Sequence, residues 1–238
     1  ITPASIPMIT ITTSSSINVK DLLFVIISSF YKKLLNYTTF CFNFFYLMYN
    51  ISMILIAGLG NPENKYENTP HNIGFRTIDL LKERFNFPEF SVFESALMSK
   101  KNNVILIKPQ TYMNNSGIPI KQIVSYYKIK IDNVWVIHDE NKLKLGELEI
   151  NKNIPASGHN GIKSIIERLG MQDFVRFRIG INNKEKHDLM DYVLKPFSKK
   201  EQEIINEVIY KTTSALDEAI QNGVEQAMLK FNIKQRNL

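Results

Sequence analysis

From Met53 onward, short apolar runs alternate with segments in which apolar residues recur at helical spacing. The apolar runs predict strands at 54–57, 104–108, 134–138 and 174–181. The helical spacing predicts helices at about 73–85, 120–127, 161–169 and 199–222, the last one opening with a capping-box pattern at 198–201. Strands that alternate with helices indicate an α/β fold. We expect a single domain with a central mixed, twisted β-sheet flanked by helices.

Residues 1–52 differ in character from the rest of the chain. Their only charged residues are Lys20, Asp21, Lys32 and Lys33. The many Asn, Thr and Tyr residues argue against a membrane anchor, and the absence of Arg argues against an organelle-targeting segment. We favour the interpretation that residues 1–52 are not native coding sequence, because Met53 directly precedes a predicted strand and the chain begins with Ile. The expected organisation is an N-terminal extension at 1–52 (targeting, disordered or not native) and one folded domain at 53–238.

Composition narrows the classes of protein and of site. The chain has 238 residues with 44% hydrophobic and 22% charged residues, which is enough for a core without disulfides. Cys41 is the one cysteine, so an internal disulfide and a zinc site built on several thiolates are excluded. The net charge of +6 favours a polyanionic partner, although charge alone is weak support for nucleic-acid binding.

Polar residues follow three of the predicted strands, at 58–62, 109–115 and 138–140. Ligands of open α/β sheets bind beyond the carboxyl ends of the strands, so we expect these three loops to converge on one cleft. The glycines at 58 and 60 do not complete a dinucleotide fingerprint, because Glu63 stands where a third glycine is required. The alternative is that both glycines allow a tight turn at the strand end.

His71 is the candidate general base. It lies in Thr69-Pro-His-Asn-Ile-Gly74, where the proline favours the start of a helix. The ordinary pKa of imidazole, about 6.5, suits proton transfer near neutral pH, although a lone histidine is more often structural or solvated. Asp139 or Glu140 could hold the tautomer of such a base. The chain has no G-x-S-x-G motif, so activation of a water molecule is favoured over a protein nucleophile.

A second group of residues suggests phosphate binding. Ser157-Gly-His-Asn-Gly161 precedes a predicted helix, and the N–H groups at a helix start form an anion site. Lys163 and Arg168 extend from that helix, while Arg176 and Arg178 share one face of the next strand. With His159 they would form a phosphate-binding stripe. The alternative, an exposed helix start with solvated charges, is equally consistent with the sequence.

The three loops resemble the signatures of bacterial-type peptidyl-tRNA hydrolases. Five blocks occur in the order of that family and cover most of residues 53–231, at 58–75, 108–117, 138–140, 158–161 and 176–180. The resemblance implies hydrolysis of the ester between a peptide and the 3′-terminal ribose of tRNA, which recycles peptidyl-tRNA during translation. It also implies a monomer that binds peptidyl-tRNA, without a cofactor, a metal or stable membrane association. The expected compartment is the cytoplasm, or a mitochondrion if residues 1–52 are a targeting segment.

The resemblance also assigns roles to individual residues. His71 would activate water, and Asp139 would accept its ring N–H. Asn61 would contact the reacting carbonyl region and distinguish a blocked from a free amine. The peptide and the terminal nucleotide would be positioned by Tyr66, Tyr112, Asn114 and Asn160.

Two departures from the family pattern lie beside the expected cleft. Asn141 and Lys142 stand where the family has an apolar residue and an aspartate, and 153–157 replaces a glycine-rich stretch. These changes concern the loop shape and the grip on tRNA, and they hint at a eukaryotic or organellar branch. One alternative is a non-catalytic RNA-binding relative, which is disfavoured by the retention of four residues together, His71, Asn61, Asp139 and Asn160. The other is a small-molecule esterase or amidase, which is disfavoured by the basic stripe and by the absence of a nucleophile elbow.

Overall fold

The structure, a computed structural model, describes residues 52–183 and 189–232. The chain divides into two units, Ile1–Ile51 and Ser52–Leu238, and the described residues belong to the second unit. Apart from Ser52, the predictions for the N-terminal extension fall outside the described residues. Among the helices of the described residues, none is long and apolar enough to cross a bilayer.

The described residues form a seven-stranded sheet with helices on both faces. The strands are β1 (Ile54–Gly58), β2 (Ser91–Phe93), β3 (Ala96–Lys101), β4 (Val104–Pro109), β5 (Val134–Lys144), β6 (Leu148–Lys152) and β7 (Val175–Asn182). The helices are α1 (Ile73–Arg84), α2 (Gly117–Tyr127), α3 (Asn160–Leu169), α4 (Leu189–Tyr192), α5 (Lys199–Asn222) and α6 (Val224–Phe231). This arrangement confirms the expected α/β fold, and the capping box at Ser198 is formed.

The strand order is β2-β3-β4-β1-β5-β7-β6. The four central strands β4, β1, β5 and β7 run parallel, while β2, β3 and β6 are antiparallel to their neighbours. The carboxyl ends of β1, β4 and β5 therefore lie side by side at one edge of the sheet. This topology brings the three polar loops of the sequence together.

The alternating side chains of β1 serve two separate cores. Ile56 packs in a core shared with α1, α5 and α6, while Leu55 and Ala57 pack in a core shared with α2 and α3. The central strands are covered on both faces, which explains their continuous apolar sequence. Burial on both faces makes this sheet a rigid base for the loops at its carboxyl edge.

One sequence boundary is wrong in a way that matters for the site. The strand predicted at 134–138 continues to Lys144, because its polar second half pairs with β7 through Asp139↔Ile179 and Glu140↔Gly180. Asp139 and Glu140 therefore belong to the strand itself. An apolar run was the signal for a strand, and these carboxylates interrupted it.

Gly58 and Gly74 allow α1 to begin directly against the end of β1. A Cβ on Gly58 would lie 2.3 Å from the carbonyl oxygen of Gly74, and a Cβ on Gly74 would lie 2.3 Å from the amide nitrogen of Leu59. Neither glycine has a left-handed φ. Close approach of the helix, rather than the expected tight turn, is therefore the reason for glycine at position 58. The contact fixes His71, three residues before Gly74, over the strand end.

Replacing Gly74 with alanine is expected to destabilise the fold by about 3 kcal/mol or more, since overpacking a core costs about 1–3 kcal/mol and here the obstacle is rigid backbone. The new Cβ would also lie 2.6 Å from the carbonyl oxygen of Ile137. Urea denaturation measures the free energy of unfolding. Ser125→Ala, at an exposed position of α2, is the control and should change it by less than about 0.5 kcal/mol. Equal denaturation midpoints for Gly74→Ala and the parent would contradict the assigned contact.

Candidate active site

A cleft of about 440 Å³ lies beyond the carboxyl ends of β1, β4 and β5. Its lining includes the catalytic and substrate-binding candidates of the sequence, namely Asn61, Tyr66, His71, Tyr112, Asn114, Asp139, His159 and Asn160. Val193 and Leu194 add an apolar wall from the segment after α4, which the sequence did not indicate. The expected convergence of the three polar loops is therefore observed.

Local structure at the start of α1 places His71. Pro70–Asn72 form a 3₁₀ turn with proline in its first position, as the fixed φ of proline favours. The His71 amide donates to the carbonyl oxygen of Val193 at 3.2 Å, which ties the turn to the segment after α4. The imidazole is mostly buried, yet it lines the cleft.

Asp139 orients the His71 ring. Nδ1 of His71 lies 3.0 Å from each carboxylate oxygen of Asp139. A carboxylate accepts hydrogen bonds, so Nδ1 carries the proton and Nε2 keeps its lone pair. Burial lowers the pKa of His71, but the charge and hydrogen bond of Asp139 outweigh burial and raise the pKa above its ordinary value near 6.5. The ring is therefore a stronger base than free imidazole.

His159 is a second donor to the same carboxylate. It is the N-cap of α3, where its Nδ1 accepts the amide N–H of Ile162 at 3.3 Å. The proton of the neutral ring is thus on Nε2, which lies 3.0 Å from Oδ1 of Asp139. The sequence suggests a phosphate contact for His159 and does not reveal this bond. Nothing local in the sequence signals it, because it joins residues 20 positions apart on separate elements.

Asp139 remains ionised between these two rings. Burial raises the pKa of Asp139, but the charges and hydrogen bonds of His71 and His159 outweigh it and hold the pKa well below the ordinary range. His138 precedes Asp139 in β5, and its Nδ1 donates to the carbonyl oxygen of Asp139 at 2.6 Å. Its burial, with the charge of His159, places the pKa of His138 well below its usual value, so this ring is neutral.

The side-chain amide of Asn72 makes two hydrogen bonds to the backbone of Asn61. The Asn61 N–H donates to Oδ1 of Asn72 at 2.8 Å, and Nδ2 of Asn72 donates to the Asn61 carbonyl oxygen at 3.0 Å. Oδ1 of Asn61 accepts the amide N–H of Met113 at 3.1 Å. That bond fixes the amide orientation, and Asn61 Nδ2 has no partner within the described ranges. The free donor belongs to a side chain that lines the cleft.

The remaining cleft candidates are less enclosed. Asn114 and Asn160 are exposed, on the 3₁₀ turn at Met113–Asn115 and at the start of α3. Tyr112 is also exposed, and its hydroxyl donates to Glu63, which pairs with Lys65 at 2.8 Å. These side chains form the accessible rim of the cleft.

The phosphate stripe expected from the sequence needs correction. Arg176 and Arg178 do share one face of β7, but both are buried. Arg178 pairs with Glu140 and Glu149 at 2.9 and 3.0 Å. Arg176 donates to the carbonyl oxygen of Pro155 at 2.9 Å, and burial, followed by the charge of Arg178, lowers its pKa to about 10. The alternation of side chains along a strand correctly predicted that both arginines share one face, but it could not predict that a loop covers this face.

Lys163 and Arg168 remain exposed on α3. They are the cations of the expected stripe that solvent reaches. Lys142, one of the departures from the family pattern, donates from Nζ to the hydroxyl of Ser157 at 3.3 Å. Lys142 thus joins β5 to the loop before His159. Asn153 and Ser157 have left-handed φ values of 50°, so this loop turns without the family's glycines.

A family model described as peptidyl-tRNA hydrolase matches residues 55–238. The chain belongs to the peptidyl-tRNA hydrolase family. A peptidyl-tRNA hydrolase of Thermoanaerobacter sp. is 42% identical over 76% of this chain and 100% of its own length. One from Clostridium botulinum is 43% identical over 76% of this chain and 96% of its own. The crystal structure of the Acinetobacter baumannii peptidyl-tRNA hydrolase superposes with a TM-score of 0.71 at 29% identity, covering 76% and 94% of the two chains. The family resemblance in the sequence is confirmed.

Proposed function

We propose that this chain hydrolyses the ester bond between a peptide and the 3′-terminal ribose of tRNA, with His71 as general base and Asp139 as its orienting partner. The observation that carries the proposal is the hydrogen-bonded pair of His71 and Asp139. Because Nδ1 of His71 donates to Asp139, Nε2 is unprotonated, and the ring lines the cleft. Family membership supplies the substrate class. The activity recycles peptidyl-tRNA during translation.

The reaction needs one proton transfer in each direction. Nε2 of His71 takes a proton from water as the water oxygen bonds to the ester carbonyl carbon. The bond from that carbon to the ribose oxygen then breaks, and His71 returns the proton to the ribose oxygen. The products are the peptide acid, which ionises in solution, and tRNA with a free 3′ end. A positioned base contributes about 10²- to 10⁴-fold to such a step.

We propose that Asn61 stabilises the charge that develops on the carbonyl oxygen. Its Nδ2 is the free donor of a fixed amide, and preorganised donors of this kind are worth about 10²- to 10³-fold in kcat. Tyr66, Tyr112, Asn114 and Asn160 are proposed to position the peptide and the terminal nucleotide. For phosphate groups we retain Lys163 and Arg168, since Arg176, Arg178 and His159 are engaged within the protein.

We expect the chain to act as a monomer. The proposed compartment is the cytoplasm, or a mitochondrion if residues 1–52 act as a targeting segment. The described helices give no indication of a membrane span. Light scattering of the full chain, with and without tRNA, tests the oligomeric state.

Release of N-acetyl-amino acid from N-acetyl-aminoacyl-tRNA tests the proposed reaction. We expect rapid release from the blocked substrate and little from the unblocked aminoacyl-tRNA. The alternative function is RNA binding without catalysis. A folded protein that binds tRNA but releases nothing would support that alternative and refute the hydrolase proposal.

Asn61→Asp is expected to lower kcat by about 10²- to 10³-fold, because it removes a donor to the developing oxyanion. An aspartate oxygen can still accept the Met113 amide N–H, so the local backbone should be preserved. We also expect the preference for N-acetyl-aminoacyl-tRNA over free aminoacyl-tRNA to decrease, measured as the ratio of kcat/KM values. The exposed Asn115→Asp change is the control. An unchanged ratio in Asn61→Asp would contradict the role in discrimination.

His159→Asn is expected to move the acid limb of the pH profile of kcat/KM to higher pH. Activity requires neutral His71, so it is lost as the pH falls through the pKa of His71, which already lies above its ordinary value. Asparagine is a good N-cap but too short to keep the bond to Asp139, so the carboxylate would interact more strongly with protonated His71. The longer His159→Gln retains a donor and should restore the parental midpoint. Identical midpoints in parent and His159→Asn would refute this coupling.

A further inference from the structure

Three side chains with metal-binding atoms meet in the cleft. One ligand atom from each of His71, Asp139 and His159 lies within 4.8 Å of the other two. The residues come from the turn before α1, from β5 and from the N-cap of α3. The expectation of no metal came from the family resemblance, and the three residues are far apart in the sequence. The fold alone assembles this set.

We propose that His71, Asp139 and His159 form a reversible site for Zn²⁺ or a similar transition-metal ion, and that the bound ion switches off the hydrolytic site. Two imidazoles and one carboxylate are a ligand set that zinc accepts when its fourth position holds water. Mg²⁺ and Ca²⁺ prefer oxygen ligands and are poorly matched to two nitrogens. Binding of the ion does not depend on the proposed function, whereas the inhibition does.

Two of the three distances between the ligand atoms are close to those of a tetrahedral site. Zinc bonds of about 2.0–2.1 Å place tetrahedral ligand atoms roughly 3.3 Å apart. Nδ1 of His71 and Nε2 of His159 each lie 3.0 Å from Oδ1 of Asp139. An ion that replaces the two shared protons therefore needs small outward shifts of both rings from Oδ1. The two ring nitrogens, which lie within 4.8 Å of each other, must also come to about 3.3 Å apart. The cleft beside them has room for the fourth, water ligand.

Proton positions explain why the ion would inhibit. In the metal-free site, the proton of neutral His71 is on Nδ1 and Nε2 is the base. A metal bound at Nδ1 uses that lone pair, so the proton of the neutral ring moves to Nε2. A ring with N–H at Nε2 cannot accept a proton from water. The metal-bound site therefore loses its general base although every catalytic side chain is present.

The proton position on His159 limits the affinity of the site for the metal ion. Metal at Nε2 of His159 moves that ring's proton to Nδ1, which now accepts from the Ile162 amide at 3.3 Å. Metal-bound histidines usually donate from the second ring nitrogen to an acceptor. Here the second nitrogen of His159 faces a donor. We expect binding that is reversible by a chelator, weaker than in a permanent structural zinc site.

Co²⁺ titration of the full chain tests the site directly through visible absorption. We expect one equivalent to give the intense bands of four-coordinate Co²⁺, and Zn²⁺ to displace it. His159→Ala and Asp139→Asn should abolish the bands and weaken Zn²⁺ binding by about 100-fold or more, since loss of even an outer-shell partner costs about 10- to 100-fold. Thermal unfolding of each variant establishes that it is folded. The matched controls are His187→Ala, a histidine outside the set, and Cys41→Ser, the thiol.

The inhibition is measured separately, with N-acetyl-aminoacyl-tRNA as substrate. We expect release to fall towards zero as Zn²⁺ saturates the site and to recover with EDTA. Four-coordinate bands that persist unchanged in folded His159→Ala, or only the weak bands of six-coordinate Co²⁺, would refute the site. Saturated protein with undiminished or increased hydrolysis would refute the inhibition. A parent that binds Co²⁺ at these residues but never hydrolyses the substrate would retain the metal site and refute the proposed function.

Discussion

His71→Ala is expected to lower kcat/KM for N-acetyl-aminoacyl-tRNA by about 10²- to 10⁴-fold, the usual contribution of a positioned general base. The ring has Nδ1 held by Asp139, so Nε2 is the nitrogen available to water. The affinity for tRNA should change little, because the contacts proposed for nucleic acid come from other residues. Single-turnover hydrolysis and a separate binding titration distinguish these two effects.

The control for His71→Ala is His187→Ala, which removes a histidine without a proposed role. It should retain the parental rate. His159 still donates to Asp139 in this variant, so the buried carboxylate keeps a partner, and thermal unfolding can verify that the fold is intact. Hydrolysis by His71→Ala within about threefold of the parent would remove this residue from the mechanism. The base would then have to be sought elsewhere in the cleft.

The sequence predicted the strands and loops that surround the site because these depend on local patterns of apolar and polar residues. Apolar runs identified the central strands, and the polar residues after them were expected at one edge of a parallel sheet. Pro70 at a helix start gave the position of His71, and the structure places it there. The family motifs supplied the pairing of His71 with Asp139, which periodicity alone left open between Asp139 and Glu140.

Local sequence patterns could not predict the hydrogen bonds and ion pairs between elements that are far apart in the chain. His159 contacts Asp139 only because α3 begins over the middle of β5, and its neighbours in sequence suggested an anion site instead. Arg178 lies on the predicted face of β7, yet Glu149 on the antiparallel strand β6 neutralises it. No prediction included β6. Because the sequence does not reveal this edge strand, it suggests a phosphate contact for an arginine that is buried in the structure.

The short edge strands and the last helix were missed for a related reason. β2 has two exposed residues out of three, so it lacks the apolar run that identifies a buried strand. α6 follows α5 after the single residue Gly223. The predicted helix end at 222 was correct, but the short segment beyond it offered too little periodicity for a second helix.

Asp139→Asn is expected to reduce activity nearly as much as His71→Ala, although the base itself remains. The amide NH₂ of an asparagine would donate to Nδ1 of His71, and the ring would then carry its proton on Nε2. The corresponding change in a serine-protease triad lowers kcat about 10⁴-fold through the wrong tautomer. The asparagine oxygen can still accept the Nε2–H of His159, so the variant should fold. Asp79→Asn, a carboxylate paired with Lys108 away from the dyad, is the control.

Combining the two changes tests whether His71 and Asp139 act as one unit. If Asp139 acts through the tautomer of His71, Asp139→Asn should have no further effect once His71 is alanine. The double variant should therefore be about as active as His71→Ala alone, since residues of one catalytic unit are strongly non-additive. Multiplied losses would mean that Asp139 contributes independently of His71. In that case the second donor, His159, would be the partner through which the carboxylate acts.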